Sequence, residues 1–271
     1  MKKAINAWSF PGGTVREMME LAKKAGYEGF EPALNASGEM SLESSDKDVM
    51  VVKKMADDIG IPLTSLATGL YWENPLTSND VKIRSKSVDI IKKQLDFAAI
   101  LGVDTILVVP GSVTPDVGYD VAYDRAFEGI KSVADYAKST GVCIGIENVW
   151  NKLLVSPLEM RKFLDDINAD YVKAYFDIGN VLLYSYPQHW ISVLGKRIQK
   201  VHVKDFKVNV GNFDGFVDLL AGDVDFPAVT KALKAVGYDG FVIAEMGGYK
   251  HYNDQIVYNT SAALSRILSE K

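Results

Sequence analysis

The 271-residue chain has one cysteine, three histidines and no surplus of basic residues. The single cysteine, Cys143, excludes an intrachain disulfide, and its apolar neighbours predict a buried, reduced thiol of the kind common in intracellular proteins. With 30 Lys and Arg against 35 Asp and Glu, the net charge is −5. Because duplex nucleic acids are bound mainly by Lys and Arg that neutralise phosphates, no nucleic acid partner is expected.

Long apolar runs are also missing. The stretch after the first three residues is broken at Asn6 and again at residues 11–13, Pro-Gly-Gly, so it is too short for the apolar part of a signal peptide. No run of about 18 apolar residues occurs elsewhere, so no membrane partner is expected and the predicted location is cytoplasmic. A composition of 48% hydrophobic and 24% charged residues is ordinary for a globular protein.

Strand-like and helix-like segments alternate along the chain. The helix signals include a capping-box pattern from Thr14 to Glu17, apolar faces at 46–60 and 78–102, and Ser156 followed by Pro157 at a first helical position. The predicted strands are short runs rich in β-branched, aromatic or other apolar residues, at 4–10, 27–33, 62–69, 104–110, 142–148, 172–178, 198–204 and 240–246.

A repeated phrase supports one architecture. Residues 25–30 read Ala-Gly-Tyr-Glu-Gly-Phe and residues 236–241 read Val-Gly-Tyr-Asp-Gly-Phe, in each case where a helix runs into a strand. Eight βα units without a linker predict an α/β fold, a (β/α)8 TIM barrel that forms a single domain over residues 1–271. A doubly wound open sheet is the alternative, but no Gly-x-Gly-x-x-Gly follows the first strand and no P-loop occurs.

Four side chains that can bind metal ions stand near the ends of the last four predicted strands: Glu147, Asp177, His202 and Glu245. In a TIM barrel the carboxyl ends of the strands carry the active site. One acidic residue at a strand end is usually a cap, but four potential ligands at successive strand ends predict a metal site. Carboxylates with one imidazole suit Mn²⁺, Mg²⁺, Co²⁺ or Zn²⁺, and we expect one such ion as the cofactor.

With these motifs in place, the whole chain resembles the xylose isomerase-like TIM barrel superfamily. Within it, the closest resemblance is to the sugar phosphate isomerase/epimerase family, which includes ketose 3-epimerases and hexulose-phosphate isomerases. The resemblance implies that Glu147, Asp177, His202 and Glu245 bind one divalent ion, for which manganese is a candidate, and that the two glutamates also move protons. It is carried by Ile146-Glu147-Asn148, Phe176-Asp177-Ile178-Gly179-Asn180, Val201-His202-Val203-Lys204-Asp205, Ala244-Glu245-Met246 and the Gly222-Asp223-Val224-Asp225-Phe226 element.

Two departures from the family pattern concern the substrate. The free-ketose 3-epimerases often have His three residues after the metal-binding Asp, where this chain has Asn180, and a second acidic residue where this chain has Leu153. The motifs Asp-x-Gly-Asn at 177–180 and His-x-Lys-Asp at 202–205 look more like those of the branch that acts on phosphorylated or otherwise anionic sugars.

The implied function is a metal-dependent sugar or sugar phosphate isomerase or epimerase, an enzyme of carbohydrate metabolism with a small carbohydrate as its partner. Such an enzyme abstracts a proton next to a carbonyl through a metal-stabilised cis-enediolate. Glu147 and Glu245 on opposite faces of the sugar would give epimerisation, whereas one base would give aldose–ketose isomerisation, and the sequence leaves both open. The predicted substrate-binding residues are Trp8, Asn180, Lys204 and Asp205.

Several residues have a second interpretation. Lys204 contacts substrate or forms an ion pair with Asp205. Asn180, like Asn148, is a turn former or a support for the ligands. Glu31 at the end of the second strand binds substrate or caps the strand. His189 and His251 fit packing and surface roles.

Other functions are also weighed. An endonuclease IV-type enzyme is disfavoured because its metal cluster uses several histidines and this acidic chain has three in all. A dehydratase of an inositol-like keto substrate would use the same enolate chemistry, and a barrel that binds a sugar without catalysis is the non-enzymatic alternative. The sequence leaves the oligomeric state open and is compatible with a homo-oligomer.

Overall fold

The computed structural model describes residues 1–269, in which strands and helices alternate as predicted. The strands are β1 Lys2–Asn6, β2 Gly29–Glu31, β3 Ala33–Leu34, β4 Ala67–Thr68, β5 Thr105–Val108, β6 Cys143–Glu147, β7 Val172–Asp177, β8 Ile198–Val203, β9 Asp205–Phe206, β10 Phe216–Val217 and β11 Phe241–Ala244. The α-helices are α1 Val15–Lys24, α2 Asp46–Ile59, α3 Val81–Leu101, α4 Tyr119–Thr140, α5 Pro157–Ile167, α6 Pro187–Leu194, α7 Phe226–Ala235 and α8 Gln255–Leu268.

Seven of these strands form one parallel sheet, in the order β2-β1-β11-β8-β7-β6-β5. The gap between β2 and β5 is bridged by the segment before β4, where Leu63 pairs with Phe30 and Leu66 pairs with Ile106. The ring is therefore closed, and the predicted fold class, a (β/α)8 barrel, is confirmed. The predicted third strand, 62–69, is regular only at Ala67–Thr68. Two short sheets accompany the large one: β3 pairs with β4, and β9 pairs with β10. The β9–β10 pair was not predicted.

Local signals place the helix ends. Thr14 and Glu17 form the predicted capping box at the start of α1, and Ser156 caps α5 with Pro157 in its first turn. The first predicted strand is too long, because the Asn6 side chain accepts a hydrogen bond from the Trp8 backbone (2.7 Å) and starts a 3-10 turn there.

The repeated phrase has the same structure at both of its places. Gly26 and Gly237 follow α1 and α7 in the left-handed region, with φ of 84° and 78°. After each glycine a tyrosine amide bonds back into the helix, Tyr27 to Ala22 and Tyr238 to Leu233. After the turn the chain continues into β2 or β11, as expected for a repeated βα unit.

The core lies inside the ring of strands and between the strands and the helices. β5 is buried at every residue, as are β6 and most of β7 and β8. Cys143 is buried, as predicted, and burial raises the pKa of its thiol to about 12. Within residues 1–269, no helix has the length and apolar character that crossing a bilayer requires.

Candidate metal centre and active site

The four predicted metal ligands converge at the carboxyl ends of adjacent strands. Glu147 ends β6, Asp177 ends β7, His202 lies on β8 and Glu245 directly follows β11. These strands are neighbours in the sheet, and the register places Asp177 opposite His202. One ligand atom from each of the four residues lies within 4.8 Å of all the others. The alternation of strands and helices thus brings together residues that are up to 98 positions apart (147 to 245).

His202 stands at the centre of the cluster. Its Nδ1 lies 3.0 Å from Glu245 Oε2 and 3.2 Å from Glu147 Oε1, and its Nε2 lies 2.7 Å from Glu31 Oε2. Burial acts to lower the pKa of His202, but Glu31, Glu147 and Glu245 outweigh it and hold the pKa well above its ordinary value. The surrounding carboxylates therefore strongly favour a cation at this position.

Lys204 is the second positive group of the cluster. Its Nζ donates to Asp177 Oδ2 at 2.6 Å and to Glu245 Oε2 at 2.8 Å. Burial acts to lower the pKa of Lys204, but these carboxylates raise it well above its ordinary value. The ion pair with Asp205 considered from the sequence does not form, because Lys204 turns towards two of the predicted metal ligands instead.

The two glutamates differ in their electrostatic surroundings. Burial raises the pKa of Glu147 and is the largest influence on it. Burial acts on Glu245 in the same direction, but Lys204 and His202 outweigh it and lower the pKa of that carboxyl. Two carboxyl groups with opposite shifts can hold different protonation states at the same pH.

The cluster fits a divalent cation. Ligand atoms within 4.8 Å of one another can surround one ion at ordinary ligand distances of about 2.0–2.4 Å. Two carboxylates face the same imidazole nitrogen, and a cation shared among these donors would relieve their mutual repulsion. Three carboxylates and one imidazole are the hard donors that Mn²⁺, Mg²⁺, Co²⁺ and Zn²⁺ accept.

Two asparagines hold Asp177 in place. Asn148 Oδ1 accepts from the Asp177 backbone N–H (2.9 Å) and Asn148 Nδ2 donates to the Asp177 carbonyl (2.8 Å). The Asn180 backbone N–H donates to Asp177 Oδ1 at 2.9 Å, and its side chain donates to the Asn148 carbonyl at 3.0 Å. Asn148 thus supports a predicted ligand, and Asn180 does so while also lining the cavity described next.

A cavity of about 470 Å³ opens above the cluster. Glu147, Glu245, Lys204 and Asn180 form its polar floor, and a second cavity of about 800 Å³ adjoins it near Gly247 and Gly248. The apolar walls come mainly from aromatic side chains: Trp8, Trp72, Trp150, Phe213 and Phe216. A concave site with aromatic walls and a few polar groups is typical for a small molecule such as a sugar.

The family profile described as xylose isomerase-like TIM barrel matches residues 19–266. The chain belongs to this family. SgbU from Haemophilus influenzae is 28% identical over 247 residues, covering 86% of this chain and 84% of SgbU. L-ribulose-5-phosphate 3-epimerase UlaE from Escherichia coli strain SMS-3-5 is 26% identical, covering 85% and 81% of the two chains.

A solved structure has the same fold. D-psicose 3-epimerase from Clostridium cellulolyticum H10, determined with D-tagatose, superposes with a TM-score of 0.80. The alignment covers 99% of each chain at 21% sequence identity. The shared fold therefore extends over nearly the whole chain, as the resemblance of the sequence motifs implied.

The other predicted substrate-binding residues lie in different settings. Trp8 is 38% exposed at the cavity wall. Asp205 is buried, and its carboxylate accepts backbone hydrogen bonds from Phe206, Leu220, Gly222 and Val224, so its oxygens hold the loop before α7. A Cβ at position 222 would collide with this carboxylate, which explains the glycine of the Gly222-to-Phe226 element.

The remaining histidines lie apart from the cluster. His189 is on α6, where its ring packs against Tyr186, and His251 is exposed. Three aromatic wall residues were not anticipated from the sequence: Trp150, Phe213 and Phe216. They pack together, with the Trp150 ring centroid 4.9 Å from Phe213 and 5.2 Å from Phe216. The position of Trp150 two residues beyond Asn148 was the one local signal for this wall.

Proposed function

We propose that this protein is a divalent-metal-dependent 3-epimerase of a ketose or a ketose phosphate. Glu147, Asp177, His202 and Glu245 would hold the ion, and Mn²⁺, Mg²⁺, Co²⁺ and Zn²⁺ all suit these donors. When bound, the ion supplies Lewis acidity, which makes the hydrogen beside the substrate carbonyl more acidic. The residues of the chain account for the remaining requirements of the reaction.

The placement of Glu147 and Glu245 carries the proposal. Glu147 comes from β6 and Glu245 from the end of β11, with β7 and β8 between them in the sheet. Both line the cavity, and both have an oxygen within 3.2 Å of the same His202 nitrogen. The two carboxyl groups therefore reach the same space from strands that flank β7 and β8, and inversion at one carbon requires two such proton-carrying groups.

In the proposed reaction, one carboxylate accepts the proton from C3 and becomes a carboxylic acid. The electrons of the broken C–H bond pass into an enediolate. The second carboxyl group, which begins protonated, donates its proton to the opposite face of C3, and the carbonyl reforms. The configuration at C3 is inverted, and exchange with water or the reverse reaction restores the starting protonation states.

The cavity walls would serve orientation. Aromatic side chains such as Trp8 and Trp150 offer flat surfaces to the C–H face of a sugar and exclude water from the floor. Among the described residues that line the two cavities, Lys204 is the one cation, and it already contacts Asp177 and Glu245. UlaE is named for a phosphorylated ketose and the Clostridium enzyme for a free one, so both substrate forms belong in the test.

The test uses the purified, Mn²⁺-loaded protein in deuterated water with matched pairs of substrates. Each pair is a ketose and its phosphate, such as L-ribulose and L-ribulose 5-phosphate. D-psicose, D-tagatose and a keto-inositol are tested in addition. The expected result is deuterium at C3, with the C3 epimer as product, detected by NMR. Samples treated with a chelator serve as the control and should show neither.

Other products would contradict the proposal in distinct ways. Label at C1 or C2 with an aldose product indicates an aldose–ketose isomerase. Loss of water from the keto-inositol indicates a dehydratase. Saturable sugar binding without label at any carbon indicates a barrel that binds sugar without catalysis.

A further inference from the structure

Glu31 lies at the end of β2, beneath the metal-ligand cluster, and has no exposed surface. Its Oε1 accepts hydrogen bonds from the hydroxyls of Tyr175 and Ser65. Its Oε2 accepts from Asn6 Nδ2 and lies 2.7 Å from His202 Nε2. A carboxyl group that is buried this deeply is stable only with such a set of partners.

The partners determine which way the hydrogen bonds run. The amide nitrogen of Asn6 can only donate, and the two hydroxyls that meet Oε1 donate to it, so the carboxyl group is an acceptor on both oxygens. His202 Nε2 must then carry the proton that points to Glu31. In a neutral imidazole this leaves the lone pair on Nδ1, the nitrogen that faces Glu147 and Glu245.

We infer that Glu31 is a positioning residue, which holds His202 with Nε2 protonated and Nδ1 directed at the metal. The inference rests on the metal site of the proposed function. The supporting groups come from β1, β2, the segment before β4, β7 and β8, so the imidazole is fixed from several strands of the barrel at once. The arrangement is a carboxylate–histidine–metal relay, in which the carboxylate sets the orientation and basicity of the ligand.

The geometry also decides between this role and the two considered from the sequence. Substrate contact is excluded because Glu31 has no exposed surface and the imidazole of His202 lies above it. A strand cap would bond to backbone groups at the strand end, whereas the four partners of Glu31 are side chains. Burial acts to raise the pKa of Glu31, but His202 and the two hydroxyls outweigh it and lower the pKa, in agreement with an accepting carboxylate.

The first test needs no variant. Long-range ¹H–¹⁵N correlation spectra of the ¹⁵N-labelled, Zn²⁺-loaded protein identify the protonated nitrogen of each of the three histidines. His189→Ala and His251→Ala spectra assign the other two rings. The expected result for His202 is a proton on Nε2 and metal at Nδ1. Metal at Nε2, or a proton on Nδ1 in the loaded protein, would overturn the inference.

The second test compares Glu31→Gln with Glu28→Gln. Glu28 is an exposed glutamate three residues earlier, so it controls for the loss of a carboxylate in the same region. Calorimetric titration with Mn²⁺ should show an affinity loss of about 10–100-fold for Glu31→Gln, together with a mixed tautomer at His202. Glu28→Gln should match the wild type.

The outcomes separate the two proposals. If the wild type binds no Mn²⁺, the metal site of the proposed function is wrong. If the wild type binds and Glu31→Gln binds equally well with an unchanged His202 tautomer, only the role of Glu31 is wrong. Should Glu31→Gln fail to fold, the spectra of the wild type decide.

Discussion

The two ends of the barrel hold buried charge in different ways. At the carboxyl ends of the strands, the side chains of Glu147, Asp177, His202 and Glu245 crowd together with Lys204. At the amino ends, Lys200 is almost buried and forms one ion pair with Asp104, whose side chain is 60% exposed (Nζ to Oδ1 2.7 Å). In this pair each charge has one partner of opposite sign, whereas several carboxylates that share one space favour a bound cation.

The largest effect on metal binding and activity is expected at His202, in the cluster at the carboxyl ends of the strands. His202→Ala should remove the bound metal and reduce activity by a factor of more than about 100, because both the imidazole ligand and its tie to Glu31 are lost. His189→Ala, on α6, should retain both. Elemental analysis of the purified variants and a turnover assay check this, and equal losses in the two variants would mean that the wrong histidine has been assigned to the metal.

The two glutamates should separate chemistry from metal binding. Glu147→Gln and Glu245→Gln each keep an oxygen for the ion and lose the base, so turnover should fall by a factor of about 100 or more while metal content falls less. The variants should also differ in exchange of the substrate proton with deuterated water, since each retains a different carboxyl group. Near-normal turnover in either variant, with metal in place, would refute the two-base mechanism.

Removal of the metal should destabilise the protein through its loss from the site at the carboxyl ends of the strands. An ion whose free concentration is 100 times its Kd stabilises the folded state by about 2.7 kcal/mol. A chelator should therefore lower the Tm, and added Mn²⁺ should restore it. Thermal unfolding followed by circular dichroism measures both changes. His202→Ala should show no Mn²⁺-dependent shift, and a shift as large as that of the wild type would place the ion elsewhere.

The smallest effect is expected at the opposite end. Asp104→Asn removes the partner of Lys200, and because Asp104 is largely exposed the free energy of unfolding should fall by only about 1 kcal/mol. Turnover and metal content should not change. Urea denaturation measures the stability, with Asp57→Asn, from the exposed i,i+4 pair with Lys53, as the control. A loss of activity in Asp104→Asn would contradict the view that the amino ends of the strands are independent of the candidate site.

Much of the fold was predictable because the strands and turns carry local signals. The predicted strand 172–178 differs by one residue from β7, and 142–148 encloses β6 closely. The third strand was predicted poorly, because apart from a two-residue pairing with β3 it joins its neighbours through isolated bridges. Such pairing depends on the closure of the ring and leaves no period in the sequence.

The candidate site shows the same division. The four candidate ligands could be predicted because each interrupts an apolar run at a strand end. The role of Glu31 could not, because its partners Asn6, Ser65, Tyr175 and His202 come from four distant segments. The side to which Lys204 points was predictable. Adjacent residues of an extended chain point to opposite sides, so Lys204 shares a side with His202 and not with Asp205.

Closure of the ring by β1 and β11 has a consequence for how the chain folds. Lys2 pairs with Phe241, so the contact that completes the barrel joins the first strand, β1, to the last strand, β11. A nascent chain that stops before β11 leaves the edges of β1 and β8 unpaired and lacks Glu245, although Glu147, Asp177 and His202 have already been made. Contacts of such long sequence separation slow folding, because the entropy of closing a long loop must be overcome before they form. Closure of the ring and completion of the candidate ligand set therefore depend on the same strand, β11, because Glu245 directly follows it.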